Sequence, residues 1–383
     1  MIRRVVFTLS LLFLLAGCPG TDARQPVPQH PSRFSLRMND EGAEALLAVL
    51  AQRTVTDAEI DRLLAIHGVR AMVDNTTRFI PGDTRETFRA ALKEFVTTRK
   101  STIGHYRLDE SYEQAAEIRA LIAELKGDQN LLAEVAAPIS RYMPPLPHFT
   151  ATAYEVAGGV SDGFVPEDAQ PAFYMAMNRA EGDAQGVKLN MTHELYHVVQ
   201  RMARARVPGL DAKVFNPDTA PAPVRLLTVI LDEGTATYVA DPALAKTSFF
   251  RRFGPYVRMW RASYKKNAPR EKIAANFAEV DRLLSGLRTG SMTWKQASDV
   301  VFTGHGPGPY FVGYEMAKAI DRRHGPERIA SLLQQHPAAF FRTYIDLYRE
   351  NPAAVPARFS RETEAYIDSS LRVANSNTSR TSP

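Results

Sequence analysis

The sharpest chemical signal in the chain is His193-Glu194-Leu195-Tyr196-His197, inside the stretch NMTHELYHVVQ, residues 190–200. The spacing predicts a helix on which both histidines share one face, because residues i and i+4 lie a turn apart. Both imidazoles can then reach a single ion. Glu194 stands beside His193, where its carboxylate could take a proton from a water activated by zinc and deliver it to a leaving amine. Leu195, Val198 and Val199 supply the apolar side of this helix. The competing reading is a helix that happens to carry two histidines. With nine histidines in 383 residues the pattern is rare by chance, and a third ligand decides between the two.

One common solution, the metzincin pattern, needs a glycine three residues and a histidine six residues after the second histidine. Those positions hold Gln200 and Ala203. The other is a glutamate on a second helix. Leu231-Asp232-Glu233-Gly234-Thr235-Ala236-Thr237-Tyr238 offers Glu233 directly after the apolar run LLTVIL. A carboxylate in so apolar a helix is costly unless it is paired or bound to a metal. Gly234 and Ala236 are small, so this helix is expected to lie close to the HELYH helix. Alternatively, Glu233 sits at the edge of the buried face and is held by an arginine such as Arg225.

Together these segments resemble the gluzincin metallopeptidases, in which HExxH is followed by a helix with an E-G-x-A-x-Y-like segment. The chain is closer still to an uncharacterised group of zinc-dependent proteases, often bacterial lipoproteins. That group shares a helical N-terminal part, HExxH, EGxA and a later PYxxGxxMA-like segment, here Pro309-Tyr310-Phe311-Val312-Gly313-Tyr314-Glu315-Met316-Ala317. The resemblance spans about residues 35–350. It implies a zincin-like fold, Zn2+ held by His193, His197 and Glu233, Glu194 as general base, and a peptide or protein as substrate. Thr237 stands four residues after Glu233, where thermolysin-like enzymes carry an acid. The partner that orients His193 is therefore unassigned, with Asp232 a candidate. Gluzincins stabilise the oxyanion with a Tyr or His opposite the zinc, which the resemblance would assign to Tyr310 or His305 in the Gly- and Pro-rich segment GHGPGPY. Structural alternatives are a helix anchor for Tyr310 and a surface loop residue for His305. In zincins an edge strand beside the cleft pairs with the extended substrate backbone. The strand PAFYMAMN could do this, or could be purely structural.

These residues need a scaffold, and the sequence indicates one. Residues 39–140 carry helical periodicity, in DEGAEALLAVLAQR, TVTDAEIDRLLAIHG, TRETFRAALKEFVTTR and SYEQAAEIRALIAELKGD, with Thr or Asp caps. Composition shifts at Pro144-Pro145-Leu146-Pro147. HFTATAYEVAGG reads as a strand, SDG as a turn, and residues 171–180 as a second strand. The HELYH and EGTATY helices follow. Further helices are expected over 248–265, 270–286, 310–324, 326–335 and 338–350. His67, His105, His148, His324 and His336 are isolated and read as surface or satisfied core histidines.

The first residues, MIRRVVFTLSLLFLLAGC, read as an export signal. Arg3 and Arg4 precede an apolar run too short to span a bilayer. The ending Leu15-Ala16-Gly17-Cys18 resembles the lipobox of bacterial lipoproteins, so Cys18, the chain's one cysteine, is expected to carry a lipid anchor to the membrane. With Pro19 next, the expected location is the periplasmic face of the outer membrane. Composition suits a soluble globular protein, 45% hydrophobic and 23% charged, and the net charge of +5 with no basic run argues against nucleic acid. The expected organisation is a signal over 1–18, a tether over 19–34, a helical region over 35–143, a zincin-like metallopeptidase domain over 144–372 and a disordered tail over 373–383. The fold class is mostly α (α+β), with a small sheet beside the HELYH helix. Two rivals to a peptidase are a lipoprotein that binds zinc without turnover and a metal-free structural lipoprotein.

Overall fold

The computed structural model describes residues 34–165, 170–207, 220–241, 254–303 and 308–380. The signal segment, Cys18, nearly all of the tether and His305 lie outside these residues. Residues Arg33–Pro383 form one compact unit.

The chain enters on a strand, β1 (Phe34–Asn39), which the sequence reading had assigned to the tether and the start of the helical region. Seven helices follow: α1 (Glu41–Leu50), α2 (Asp57–Ala65), α3 (His67–Phe79), α4 (Arg85–Thr98), α5 (Leu108–Glu113), α6 (Ala115–Gly127) and α7 (Leu131–Arg141). Thr56 and Thr84 open α2 and α4 with reciprocal caps to Glu59 and Thr87. Asp40 precedes α1 but turns its carboxylate to Lys126 on α6, 2.9 Å away, and so does not cap.

Three strands complete a mixed sheet: β2 (Phe149–Val156), β3 (Gly163–Phe164) and β4 (Ala172–Ala176), in the order β1-β2-β4-β3. β1 and β4 run parallel to β2, and β3 runs antiparallel to β4. FSLRMN alternates apolar and polar residues over its six positions, a strand signal that went unread between the Pro-rich tether and the helical region; pairing with β2 confirms it as a strand. Phe34 stacks on Phe149 at 5.4 Å, and the Ser35 and Thr150 hydroxyls bond at 2.8 Å. This pairing joins the helical region to the sheet of the later segment. The composition change at 143/144 therefore separates no compact units.

The strand PAFYMAMN contains β4, an interior strand between β2 and β3, which favours the structural one of its two readings. On the α3 side of the sheet, Tyr154, Tyr174 and Phe164 lie in register across three strands. Tyr154 stacks on Tyr174 at 5.1 Å and Tyr174 on Phe164 at 4.5 Å. His67 of α3 lies against Tyr154 at 4.7 Å and shares a 2.6 Å hydrogen bond with the Tyr174 hydroxyl. It is a satisfied core histidine, as expected.

The remaining helices are α8 (Ala184–Arg204), α9 (Ala222–Val239), α10 (Pro255–Asn267), α11 (Arg270–Thr289), α12 (Trp294–Thr303), α13 (Gly308–His324), α14 (Pro326–Leu332), α15 (Ala338–Glu350) and α16 (Arg361–Arg380). The expected helices are thus present, with 248–253 outside the described residues, while α12 and α16 are additional. α16 is anchored by buried Ile367 and by Glu364, which accepts from Tyr348 at 2.7 Å and Arg349 at 2.6 Å. It carries helix through Arg380, into the segment expected to be a disordered tail. The fold is mostly α with a small sheet.

The closest helix crossing joins α9 to α13. A Cβ placed on Gly234 would overlap the Gly313 backbone, and one placed on Gly313 would overlap the Ile230 carbonyl. Gly234 is small for contact with α13, then, and not for the HELYH helix as the sequence reading had it. Backbone atoms cannot swing aside as a side-chain tip can. Gly313→Ala is therefore expected to cost about 1–3 kcal/mol or more through overpacking, seen as a lower denaturant midpoint. Unchanged stability in that variant would contradict the crossing.

Candidate metal centre

α8 begins where the Asp183 carboxylate accepts from the Gly186 amide at 3.0 Å. Its second oxygen accepts from the Val257 amide at 3.1 Å, tying the start of α10 to the start of α8. One turn along, buried Lys188 donates to Asp128 and, at 2.8 Å, to Glu134. These contacts fix the helix along its axis and about it. His193 and His197 consequently face α9.

His193 Nε2 lies 3.0 Å from His197 Nε2 and 3.2 Å from Glu233 Oε2, and His197 Nε2 lies 3.4 Å from the same oxygen. Zinc bonds of about 2.0–2.1 Å in a tetrahedron set neighbouring ligand atoms about 3.3 Å apart. The observed triangle has that size. Two imidazole nitrogens facing each other at 3.0 Å need a proton or a metal ion between them. Among the described residues this trio is the one group of His, Cys, Asp and Glu side chains with metal-holding geometry. Burial drives His193 toward its neutral form. Burial acts on His197 in the same sense, but the Glu233 carboxylate outweighs it and raises that group. Burial alone would raise Glu233, yet His197 and His193 hold it well below the ordinary carboxylate range.

Gln200 sets the orientation of His197. The Thr235 hydroxyl donates to the Leu231 carbonyl at 2.7 Å, so its lone pairs are left to accept. The Gln200 amide nitrogen donates to that hydroxyl at 2.8 Å and to the Asp232 carbonyl at 2.9 Å. Its oxygen must then face His197, and Nδ1–H donates to it at 2.7 Å. That proton placement leaves Nε2 of His197 with a lone pair toward the centre. The residue that breaks the metzincin pattern is thus the one that orients a histidine. Its signal in the sequence was position alone, three residues after His197 on the same helix face.

Asp232 does not orient His193: its carboxylate pairs with Arg204. Among the described residues no group bonds His193 Nδ1. The ring instead lies 5.9 Å from the Trp260 ring of α10. Nor does Arg225 hold Glu233, since its guanidinium stacks over Trp294 at 4.3 Å.

Glu194 is buried on the side of α8 that meets the sheet edge. A Cβ on Gly163 would come within 2.7 Å of Glu194 Oε1 and 2.8 Å of Cγ, so only glycine leaves room for this side chain. Arg201 donates to the Val165 carbonyl at 3.1 Å, clamping the end of β3 onto the same helix. The sequence reading treated SDG as a turn, because a two-residue strand has no alternation to detect. Burial pushes the Glu194 carboxyl up to about 8, against the pull of His197. A divalent cation beside it would draw it back toward the ionised form. Tyr310, in the first turn of α13, has its hydroxyl raised well above the ordinary value by burial and then by Glu233 and Glu194. It lies one turn before Gly313, whose backbone meets Gly234, the residue after Glu233. Four of the expected site residues, His193, Glu194, His197 and Glu233, meet here with Tyr310, and His305 lies outside the described residues.

One family model, described as "Putative zinc dependent peptidase (DUF5700)", matches residues 60–353, most of the chain. No curated protein and no solved structure matches it. The zinc dependence of the family and the His-His-Glu donor set agree on the cofactor.

Removing the group that fixes a ligating histidine typically weakens metal binding about 10- to 100-fold. Gln200→Ala is expected to lower zinc affinity by that factor in a competition titration against a chromophoric chelator. An unchanged affinity would remove Gln200 from the site.

Proposed function

The chain belongs to the DUF5700 family, and from that premise we propose that it hydrolyses peptide bonds at the centre built from His193, His197 and Glu233. The observation that supports this reading best is the triangle of ligand atoms at 3.0, 3.2 and 3.4 Å with a buried carboxyl one residue from its first corner. His193, His197 and Glu233 would hold Zn2+. Bound zinc supplies Lewis-acid polarisation of the scissile carbonyl and acidifies the attacking water.

Glu194 is the general base. Its carboxylate takes a proton from the attacking water and passes it to the leaving amine nitrogen. Gly163 and the apolar packing of α8 keep that carboxylate dry, so it binds the proton firmly enough to carry it between the two steps. Tyr310 presents its hydroxyl to the oxyanion; a phenol held far above its ordinary pKa remains a donor throughout. The outer edge of β3, antiparallel to β4 and next to Glu194, is the rim that receives an extended substrate backbone. β3 thus takes the substrate-pairing part that was one of the two readings open for PAFYMAMN. The segment ending in Cys18 supports an exported, lipid-anchored location for the activity.

The deciding experiment digests an unbiased peptide library with zinc-loaded wild type and Glu194→Gln. The variant is expected to keep its zinc and lose activity on the order of a hundred- to ten-thousand-fold. Equal activity in the two proteins would contradict the assigned base. Stoichiometric zinc with no cleavage by either would favour a binding protein over a peptidase.

A further inference from the structure

Phe79, the last residue of α3, is 48% exposed, and Phe302, near the end of α12, is 40% exposed. Both are large apolar side chains that folding would ordinarily cover. They come from distant parts of the chain yet meet in space, ring centroids 6.4 Å apart and planes at 74°. Phe302 also meets Tyr310 edge to face, with centroids 6.3 Å apart and planes at 85°. Tyr310 itself lies one turn before Gly313 on α13, whose backbone meets Gly234, the residue after Glu233. A continuous run of three aromatic rings therefore leads from solvent to the metal centre.

A pair of surface rings that had simply collapsed on each other would hide most of their area. Here each ring retains close to half of its surface, and edge-to-face packing leaves an open angle between the two. That angle suits a third apolar group, since edge-to-face and offset contacts are the favoured geometries for a further ring. The 6.3 Å step from Tyr310 to Phe302 corresponds to about two residues of extended chain at ~3.4 Å each.

We propose that Phe79 and Phe302 form a substrate subsite that takes an apolar, preferentially aromatic, side chain of the peptide about two or three residues from the scissile bond. The proposal deepens the peptidase reading and rests on it. The occupant is the substrate itself, because the rings are continuous with the residue that borders the metal ligands. Tyr310 orders the near end of the run, and the two phenylalanines hold the far end.

The test walks one phenylalanine through fluorogenic peptides of alanine, glycine and serine, using the zinc-loaded full-length chain. Cleavage is measured with wild type, and binding of the same peptides is measured by fluorescence anisotropy with zinc-loaded Glu194→Gln. At one position, phenylalanine is expected to raise kcat/KM at least about tenfold over alanine, with a matching gain in binding. Phe79→Ala and Phe302→Ala should each shrink that phenylalanine-to-alanine ratio several-fold with zinc content and melting temperature retained. Tyr112→Ala, at an exposed aromatic residue elsewhere (39% exposed), should leave the ratio as it was. A ratio that survives both phenylalanine variants, or no preferred position at all, overturns the subsite. Absence of cleavage together with phenylalanine-selective binding that the two variants abolish would sink the peptidase reading and leave the subsite standing. Absence of both cleavage and selective binding would overturn both.

Discussion

A carboxylate and two imidazoles brought within 3.4 Å of one another in a protein interior are tolerable only with protons or a metal ion among their facing lone pairs. Much of the surrounding structure serves that one requirement. Asp183 and Lys188 fix α8 so that both histidines face α9. The Gln200–Thr235–Leu231 chain of hydrogen bonds settles which nitrogen of His197 carries the proton. None of these groups needs to touch an ion to matter: each removes a freedom that the donor atoms would otherwise have.

The approach of α9 to α13 explains why two separate sequence segments belong together. Gly234 follows Glu233, and Gly313 lies one turn after Tyr310. Their backbones meet where any side chain would intrude. Contact at these two glycines sets the carboxylate of one helix and the phenol of the other around the same point. Tyr238 and Tyr142 reinforce it from behind by donating to Asp321 of α13 at 2.7 and 2.9 Å. Gly163 plays the comparable part on the sheet side, where its missing side chain makes space for Glu194. Small residues here define where the reactive groups sit.

The three candidate ligands stand out in the sequence because they are anomalies. Two histidines a turn apart and a glutamate after LLTVIL break the apolar rhythm of their helices, and burial punishes such breaks unless something pays for them. What surrounds the ligands was less legible. Gln200 looks like any polar helix residue until Thr235 and the Asp232 carbonyl are placed opposite it. β3 is too short to show any alternation, and its strand character comes from pairing with β4; β1 does alternate, but six residues beside a Pro-rich stretch were read with their neighbours. Whether PAFYMAMN was an edge stayed open for a related reason: its apolar run announces a strand but not the neighbours on each side. The helical N-terminal region was visible through its 3.6-residue period, whereas its union with the sheet depends on long-range pairing that no local window contains.

The most direct measurement is anomalous diffraction at the zinc edge from crystals of the zinc-loaded chain. The account predicts one anomalous peak per chain, within bonding distance of His193 Nε2, His197 Nε2 and Glu233 Oε2. A peak held elsewhere, or a Glu233 carboxylate turned away from the two imidazoles, would contradict it.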